Sequence, residues 1–412
     1  MLHFEVGRPV AMGRHVGHLG PLDSTHHYCR AGLAPSGDVL AVYAMHPDRT
    51  RPAGSCVPIV APGSRNPIYK FRPRRVDPTY PWPVEHVLCR SGDGGSTWGE
   101  CQPLEGCSVV TIGARLLSPY RQIHALEPGL AVGAFQVSDD DGVTWYDRPD
   151  VLYRYPTDLR LSEEVDPTTG TRVVLDFENA GAHQAVADGS LVVFATASRQ
   201  DADGARWWFP LMFRSTDGGA TFDFVACPTG TDRPVDHHGY TEPALACLPG
   251  GDLLAVFRTE YHQPDRILMQ CRSADGGLTW TAPAACPGVP RHYPLRQLRP
   301  VANRGKTHLN AASVSPALCT LTNGVVALTY GRPGVHLAFS EDGSGEVWTD
   351  RLAVVPEHSL FGANDSGSAM SGLVPVSDDT VLLIYDVYNW RDHPDAVPGN
   401  TVFALRVTVR SV

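Results

Sequence analysis

Lysine is almost missing from this chain. Of 412 residues, 34 are basic, and only Lys70 and Lys306 are lysines. Charge of either sign is sparse at 19 %, and the formal net charge is −10. That balance argues against a broad phosphate-gripping surface, so nucleic acid is not an expected partner. No apolar run approaches the roughly 18–20 residues that a membrane-spanning helix requires, so no membrane partner is expected either. The opening MLHFEVGRPVAMGRH has neither the basic start, the apolar centre nor the small-residue cleavage site of a signal peptide. A cytoplasmic location follows as an expectation. Helical periodicity and low-complexity blocks are both lacking, which sets aside a helical second domain and disorder.

Cysteine is present but unpatterned. Cys89, Cys247, Cys271 and Cys319 fall in apolar strand-like runs, where a thiol acts as a small hydrophobe. Cys101 and Cys107 are a close pair with no second pair or histidine cluster beside them, so no metal site and no cofactor is expected. Reduced thiols are the expectation. The 32 arginines have two readings, a codon bias of a GC-rich genome and guanidiniums that grip carboxylates through two parallel hydrogen bonds.

What the chain has in quantity is turns. Forty glycines and 35 prolines lie well above average usage, and they are organised. The pattern Ser-x-Asp-x-Gly-x-Thr-aromatic recurs at Ser91–Trp98, Ser138–Trp145, Ser215–Phe222 and Ser273–Trp280. A fifth copy, Ser340–Trp348, carries one extra residue. Asp and Ser side chains can bond the turn's own backbone, Gly supplies positive φ, and Thr with the aromatic starts a return strand. A second unit, a polar glycine turn leading into an apolar strand, precedes most of these hairpins. It is seen at Ala34–Tyr43, Val186–Phe194, Leu248–Phe257, Leu321–Tyr330 and Val376–Tyr385. Together the two units make strands one to four of a repeating sheet. The poorest copy is Cys107–Val137.

Five full units and a sixth starting near Gly367 predict an all-β fold, a six-bladed β-propeller of four-stranded antiparallel blades, with seven as the fallback. The chain reads as one domain over 1–412, with a Met1–Val10 strand closing the last blade.

The hairpin pattern resembles the Asp-box, or BNR, repeat of the sialidase (neuraminidase) superfamily. The resemblance implies a carboxylate clamp of three arginines, a Tyr–Glu nucleophile pair and an aspartic acid/base. Thr241-Glu242-Pro243 running on to Phe257-Arg258 is similar to the family's glutamate strand and second arginine. Tyr330-Gly331-Arg332 stands about where the third arginine is expected, and His27-Tyr28-Cys29-Arg30 approximates the first. Asp386, after Leu383-Ile384-Tyr385, resembles the acid that steadies the first arginine. Ala369-Met370-Ser371-Gly372-Leu373 carries Met370 where the nucleophilic tyrosine belongs, and a thioether cannot be that nucleophile.

The candidate site residues are therefore His86, His238, Tyr240 and Glu242 for catalysis. Arg30, Arg258, His308, Arg332 and Asp386 are the candidates for substrate binding. His86 occupies the acid's place in its blade, and His238 and Tyr240 precede Glu242 in a polar loop. The expected partner is an acidic oligosaccharide or glycoconjugate. The first reading is an exo-acting hydrolase of a terminal carboxylated sugar. A polysaccharide lyase working on a uronate with His or Tyr as base is the alternative. A non-catalytic glycan-binding propeller is a third reading, favoured where the arginines are paired internally.

Overall fold

The computed structural model describes residues 2–14, 29–45, 85–165, 172–176, 183–186, 188–234, 238–259, 268–287, 314–331, 334–348, 350–355, 370–388 and 400–411. Among these the regular structure is strand, apart from one 3₁₀ turn at Thr157–Leu159. The chain opens with β1 (Leu2–Val6) and β2 (Val10–Arg14). A first four-stranded sheet is built from β3 (Arg30–Leu33), β4 (Val39–Met45), β5 (Glu85–Ser91) and β6 (Gln102–Leu104), in that order.

Next come β7 (Val110–Ile112), β8 (Arg115–Pro119), β9 (Gln122–Glu127), β10 (Leu130–Ser138) and β11 (Tyr146–Arg154). After β12 (Glu164–Val165) and β13 (Arg172–Asp176) follow β14 (His183–Ala185), β15 (Leu191–Gln200), β16 (Arg206–Ser215) and β17 (Thr221–Ala226). These form one eleven-stranded sheet, because β13 bridges β9 and β15 and because β11 runs parallel to β17.

Two further four-stranded sheets follow. One holds β18 (Tyr240–Cys247), β19 (Leu253–Thr259), β20 (Leu268–Ser273) and β21 (Ala284–Ala285). The other holds β22 (Val314–Thr320), β23 (Val326–Gly331), β24 (Val335–Ser340) and β25 (Asp350–Val355). The last sheet joins β26 (Gly372–Ser377), β27 (Thr380–Tyr388) and β28 (Asn400–Ser411) to the chain's beginning. The strand expected over Met1–Val10 takes the form of two shorter ones. Both β1 and β2 pair with β28, separated at Gly7, whose N–H donates to the Arg406 carbonyl at 2.9 Å.

The strands that begin each meander touch one another in a closed ring, β3 to β7, β14, β18, β22, β26 and back to β3. This is a β-propeller-like arrangement, and the apolar layers lie between neighbouring sheets. Phe194 of β15 meets Phe257 of β19 edge-on at 5.8 Å. Burying such a side chain contributes about 1.5–3 kcal/mol, so these layers are what hold the sheets together.

The repeated hairpins are local hydrogen-bond cages. Thr97 donates its N–H and its hydroxyl to Asp93, Ser91 donates to the same carboxylate, and the Ser91 hydroxyl accepts from Gly95 N–H at 2.8 Å. The cage repeats at Asp140 and Asp275. The hairpins also dock onto the preceding sheet. Gly277 has φ +96°, and a Cβ there would meet Met212 Cε at 2.0 Å. Arginines beside Ser91 and Ser273 reach the following hairpin. Arg90 bonds Asp38 and Asp141, and Arg272 bonds Asp252 at 2.7 Å and Glu346 at 3.2 Å. Arg406 reaches Ser96 at 3.0 Å.

One expectation is corrected here. Cys89 and Cys101 form a disulfide, so not all thiols are reduced. Antiparallel pairing of Leu88 with Gln102 sets the two cysteines opposite each other, with Cα atoms 4.4 Å apart. Cys107, nearer to Cys101 in sequence, is a buried free thiol.

Candidate active site

In every meander the first strand begins, and the second ends, at the same end of its sheet. The register pairs Arg30 with Val42, Thr241 with Arg258, Val314 with Gly331 and Gly372 with Ile384. The polar residues at these positions converge on one mouth of the strand ring.

Glu242 lies at a bulge, where the register shifts between Thr241 and Ala244. Its φ is +46°, a left-handed value that a side chain rarely adopts and that costs of order 1–3 kcal/mol. Two bonds hold it there. Arg258 Nη1 donates to Oε1 at 2.8 Å, and Ser315 N–H of the neighbouring sheet donates to Oε2 at 2.8 Å. Ser315 repeats the same geometry, with φ +50°, in the bulge before Pro316. The Glu242 and Arg258 side chains are 6 % and 15 % exposed, so this is a mostly buried ion pair.

Arg30 and Asp386 are 3 % and 0 % exposed. They flank the buried Cys29 thiol. Burial pushes that thiol well up, the Asp386 charge adds to the rise, and Arg30 opposes it. A further ion pair was not read from the sequence. Arg121 Nε donates to Asp176 Oδ1 at 2.8 Å, with both side chains about one quarter exposed. Its guanidinium and that of Arg30 both act on Cys107, whose pKa burial nonetheless pushes up to about 11. Asp176 ends the apolar run Val173-Val174-Leu175 just as Asp386 follows Leu383-Ile384-Tyr385, so an aspartate after a strand was the available signal.

The remaining candidates are placed as follows. The Tyr240 ring packs in the apolar layer with Phe194, Met212 and Phe257, 6.3 Å from the Phe257 ring. His238 sits before it, with Nδ1 3.3 Å from the Arg206 carbonyl oxygen. His86 lies on β5, third outward in its sheet, opposite Ala44 and Leu104. Met370 is partly exposed just before β26. His308 and Arg332 lie outside the described residues. Among the described residues no group of three or more His, Cys, Asp or Glu stands together as a metal site would need.

A closed ring of strand starts, with the ion pairs Arg258–Glu242 and Arg121–Asp176 near the strand ends, defines a propeller-like protein. The chain belongs to the BNR repeat-like domain family, whose model matches residues 128–362. No curated protein matches the chain. Among solved structures, a protein of unknown function from Dyadobacter fermentans is 16 % identical, with 99 % of both chains covered and a TM-score of 0.61. The α-L-arabinofuranosidase of Fusarium graminearum, solved with arabinobiose, is 13 % identical over 98 % of both chains, with a TM-score of 0.58. A Hadza microbial sialidase is 16 % identical over 92 % of this chain and 65 % of that one, with a TM-score of 0.51. At these identities the likeness establishes the fold.

Proposed function

We propose that this protein is an exo-acting glycoside hydrolase that takes the end of a glycan into the mouth of a six-bladed propeller. Each blade would be one four-stranded meander, and the closed ring of innermost strands supports the count. The observation that carries the reading is the strained, buried Glu242, held by Arg258 and by the backbone of the next sheet. Strain of this kind persists only where the surroundings over-determine it, and it clusters at active sites. With both oxygens accepting, Glu242 is poised as the carboxylate at the reacting carbon. Asp176 and Asp386 are the other mouth carboxylates available for the paired acid and base chemistry of glycoside cleavage.

The substrate class is a terminal carboxylated sugar, its carboxylate lying against Arg30 and Arg121. A specific observation favours a second reading, a neutral pentofuranose. Arg258, read from the sequence as a clamp arginine, is occupied by Glu242, and the Fusarium relative that matches over nearly its whole length binds arabinobiose.

The test is a substrate panel of sialyllactose, arabino-oligosaccharides and a uronate-capped oligosaccharide. Release of reducing sugar is followed alongside ultraviolet absorbance. Hydrolysis releases sugar without a new conjugated double bond, whereas absorbance growing with cleavage marks the lyase alternative and overturns the proposal. Glu242→Gln should lose activity about a hundredfold or more.

A further inference from the structure

We infer that Trp208 and Arg206 form a second sugar-binding platform beside the mouth, taking the ring linked to the one held at Glu242. The inference rests on the glycan-cleaving reading above. β15 and β16 pair without interruption from Leu191–Ser215 to Gln200–Arg206, ten residues each. Along β16, Trp207, Phe209, Leu211 and Phe213 turn into one apolar layer, and Trp207 spends its indole N–H on the Thr231 carbonyl at 3.0 Å. Strand alternation sends Trp208 to the opposite face, where it is half-buried.

Four described tryptophans, Trp145, Trp207, Trp280 and Trp348, donate their indole N–H to protein oxygens. The Trp208 indole N–H has no such acceptor among the described residues and is not buried. It is a large apolar face with an open donor at its edge. The Arg206 guanidinium lies 5.9 Å from the ring centroid, fixed by the Ser198 hydroxyl at 3.0 Å and by the Glu164 carboxylate. The His238 ring is held against the Arg206 carbonyl.

The platform is tied rigidly to the catalytic strand. Trp208 N–H donates to the His238 carbonyl at 2.9 Å, and Trp208 bridges to Gly239. Gly239 has φ +101°, and a Cβ there would fall 1.9 Å from the Trp208 carbonyl oxygen, so only glycine permits this approach. From Gly239 the chain reaches Glu242 in three residues, at most about 10 Å. That is within the reach of a short oligosaccharide. The C–H face of a sugar ring stacks on an indole, and its hydroxyls need donors and acceptors around the rim. Indole N–H, guanidinium, carboxylate and imidazole are all supplied here.

Stopped-flow tryptophan fluorescence, which reads binding before turnover, tests this on the intact protein. Arabinotriose and sialyllactose are compared with methyl α-L-arabinofuranoside and free sialic acid. Trp208→Ala should weaken binding of the oligosaccharide about tenfold, or about 1.4 kcal/mol, and leave the monosaccharide within about twofold. Trp208→Phe, which keeps an aromatic face and the packing, should recover most of the loss. Equal oligosaccharide affinity in wild type and Trp208→Ala overturns the platform while leaving the site at Glu242 intact. No binding of any of these sugars by the wild-type protein overturns both.

Discussion

Arg258 and Glu242 meet at 2.8 Å, sixteen residues apart in sequence, across the register shift that turns Glu242 into the mouth. The pair is mostly buried, with side chains 15 % and 6 % exposed. Its partner bond from Ser315 crosses to the next sheet, so one carboxylate fixes both a side chain and an inter-sheet contact.

Breaking that pair from one side strands a buried charge. Arg258→Met should cost about 3 kcal/mol of stability and abolish most glycan cleavage, because Glu242 loses its charge partner and its orientation. Urea unfolding and initial rates on the same preparation check it. Arg258→Lys should recover stability in part but not activity, since an ammonium does not reproduce the guanidinium geometry.

The hairpin aspartates make stability depend on acid. Asp93, Asp140 and Asp275 are held down to about 2, chiefly by the hydroxyls of Thr97, Thr144 and Thr279 and then by backbone N–H donors. A folded-state pKa below the unfolded 3.8 adds stability that is present above about pH 4 and is lost as pH falls through about 2. Asp275→Asn should therefore lower the thermal midpoint at pH 6 and leave it nearly unchanged at pH 2. Calorimetry across that range tests the sign.

Gly277→Ala should destabilise by about 1–3 kcal/mol. The new methyl meets Met212, and the left-handed φ penalises any side chain. Met212→Ala made together with it should relieve the clash without relieving the backbone strain. Denaturant midpoints of the two single variants and the double variant separate the parts.

Reducing the Cys89–Cys101 bond should lower stability by about 2–3 kcal/mol, because the cross-link closes a short loop. Unfolding with and without reductant measures it, and a Cys101→Ser variant should match the reduced protein. Peptide mass mapping should recover the linked pair.

Arg272→Lys tests the rim. Arg272 joins Asp252 in its own sheet to Glu346 of the following hairpin, with its side chain about one third exposed. The expected loss is about 0.5–1 kcal/mol, falling with added salt. The same clasp recurs at Arg90 and Arg406, which gives the near-absence of lysine a structural use beyond codon bias.

The hairpins were legible in the sequence because each cage closes within about seven residues, from Ser to Thr. Glu242 and Arg258 were singled out by the family resemblance of Thr241-Glu242-Pro243 and Phe257-Arg258, and the strand register then brings them together. The Arg121–Asp176 pair was not. It joins residues 55 apart through β9, which lies in the poorest repeat copy, and β13, which lies in none. The disulfide was missed for a related reason, since pairing follows strand register and not the nearest cysteine along the chain. Tyr240 read as a loop residue beside a glutamate, yet the pleat turns its ring into the inter-sheet layer.

By itself the sequence determined the repeat, the turn chemistry and the strand positions, because those depend on hydrogen bonds and alternation over a few residues. The tertiary structure decided which guanidinium meets which carboxylate and that Ser315 caps Glu242. It also brought Arg30 and Arg121, which lie at separate sheets, to act on the same buried Cys107 thiol. Closing the ring brings together residues dozens to hundreds of positions apart, and only inter-sheet packing and register fix those distances.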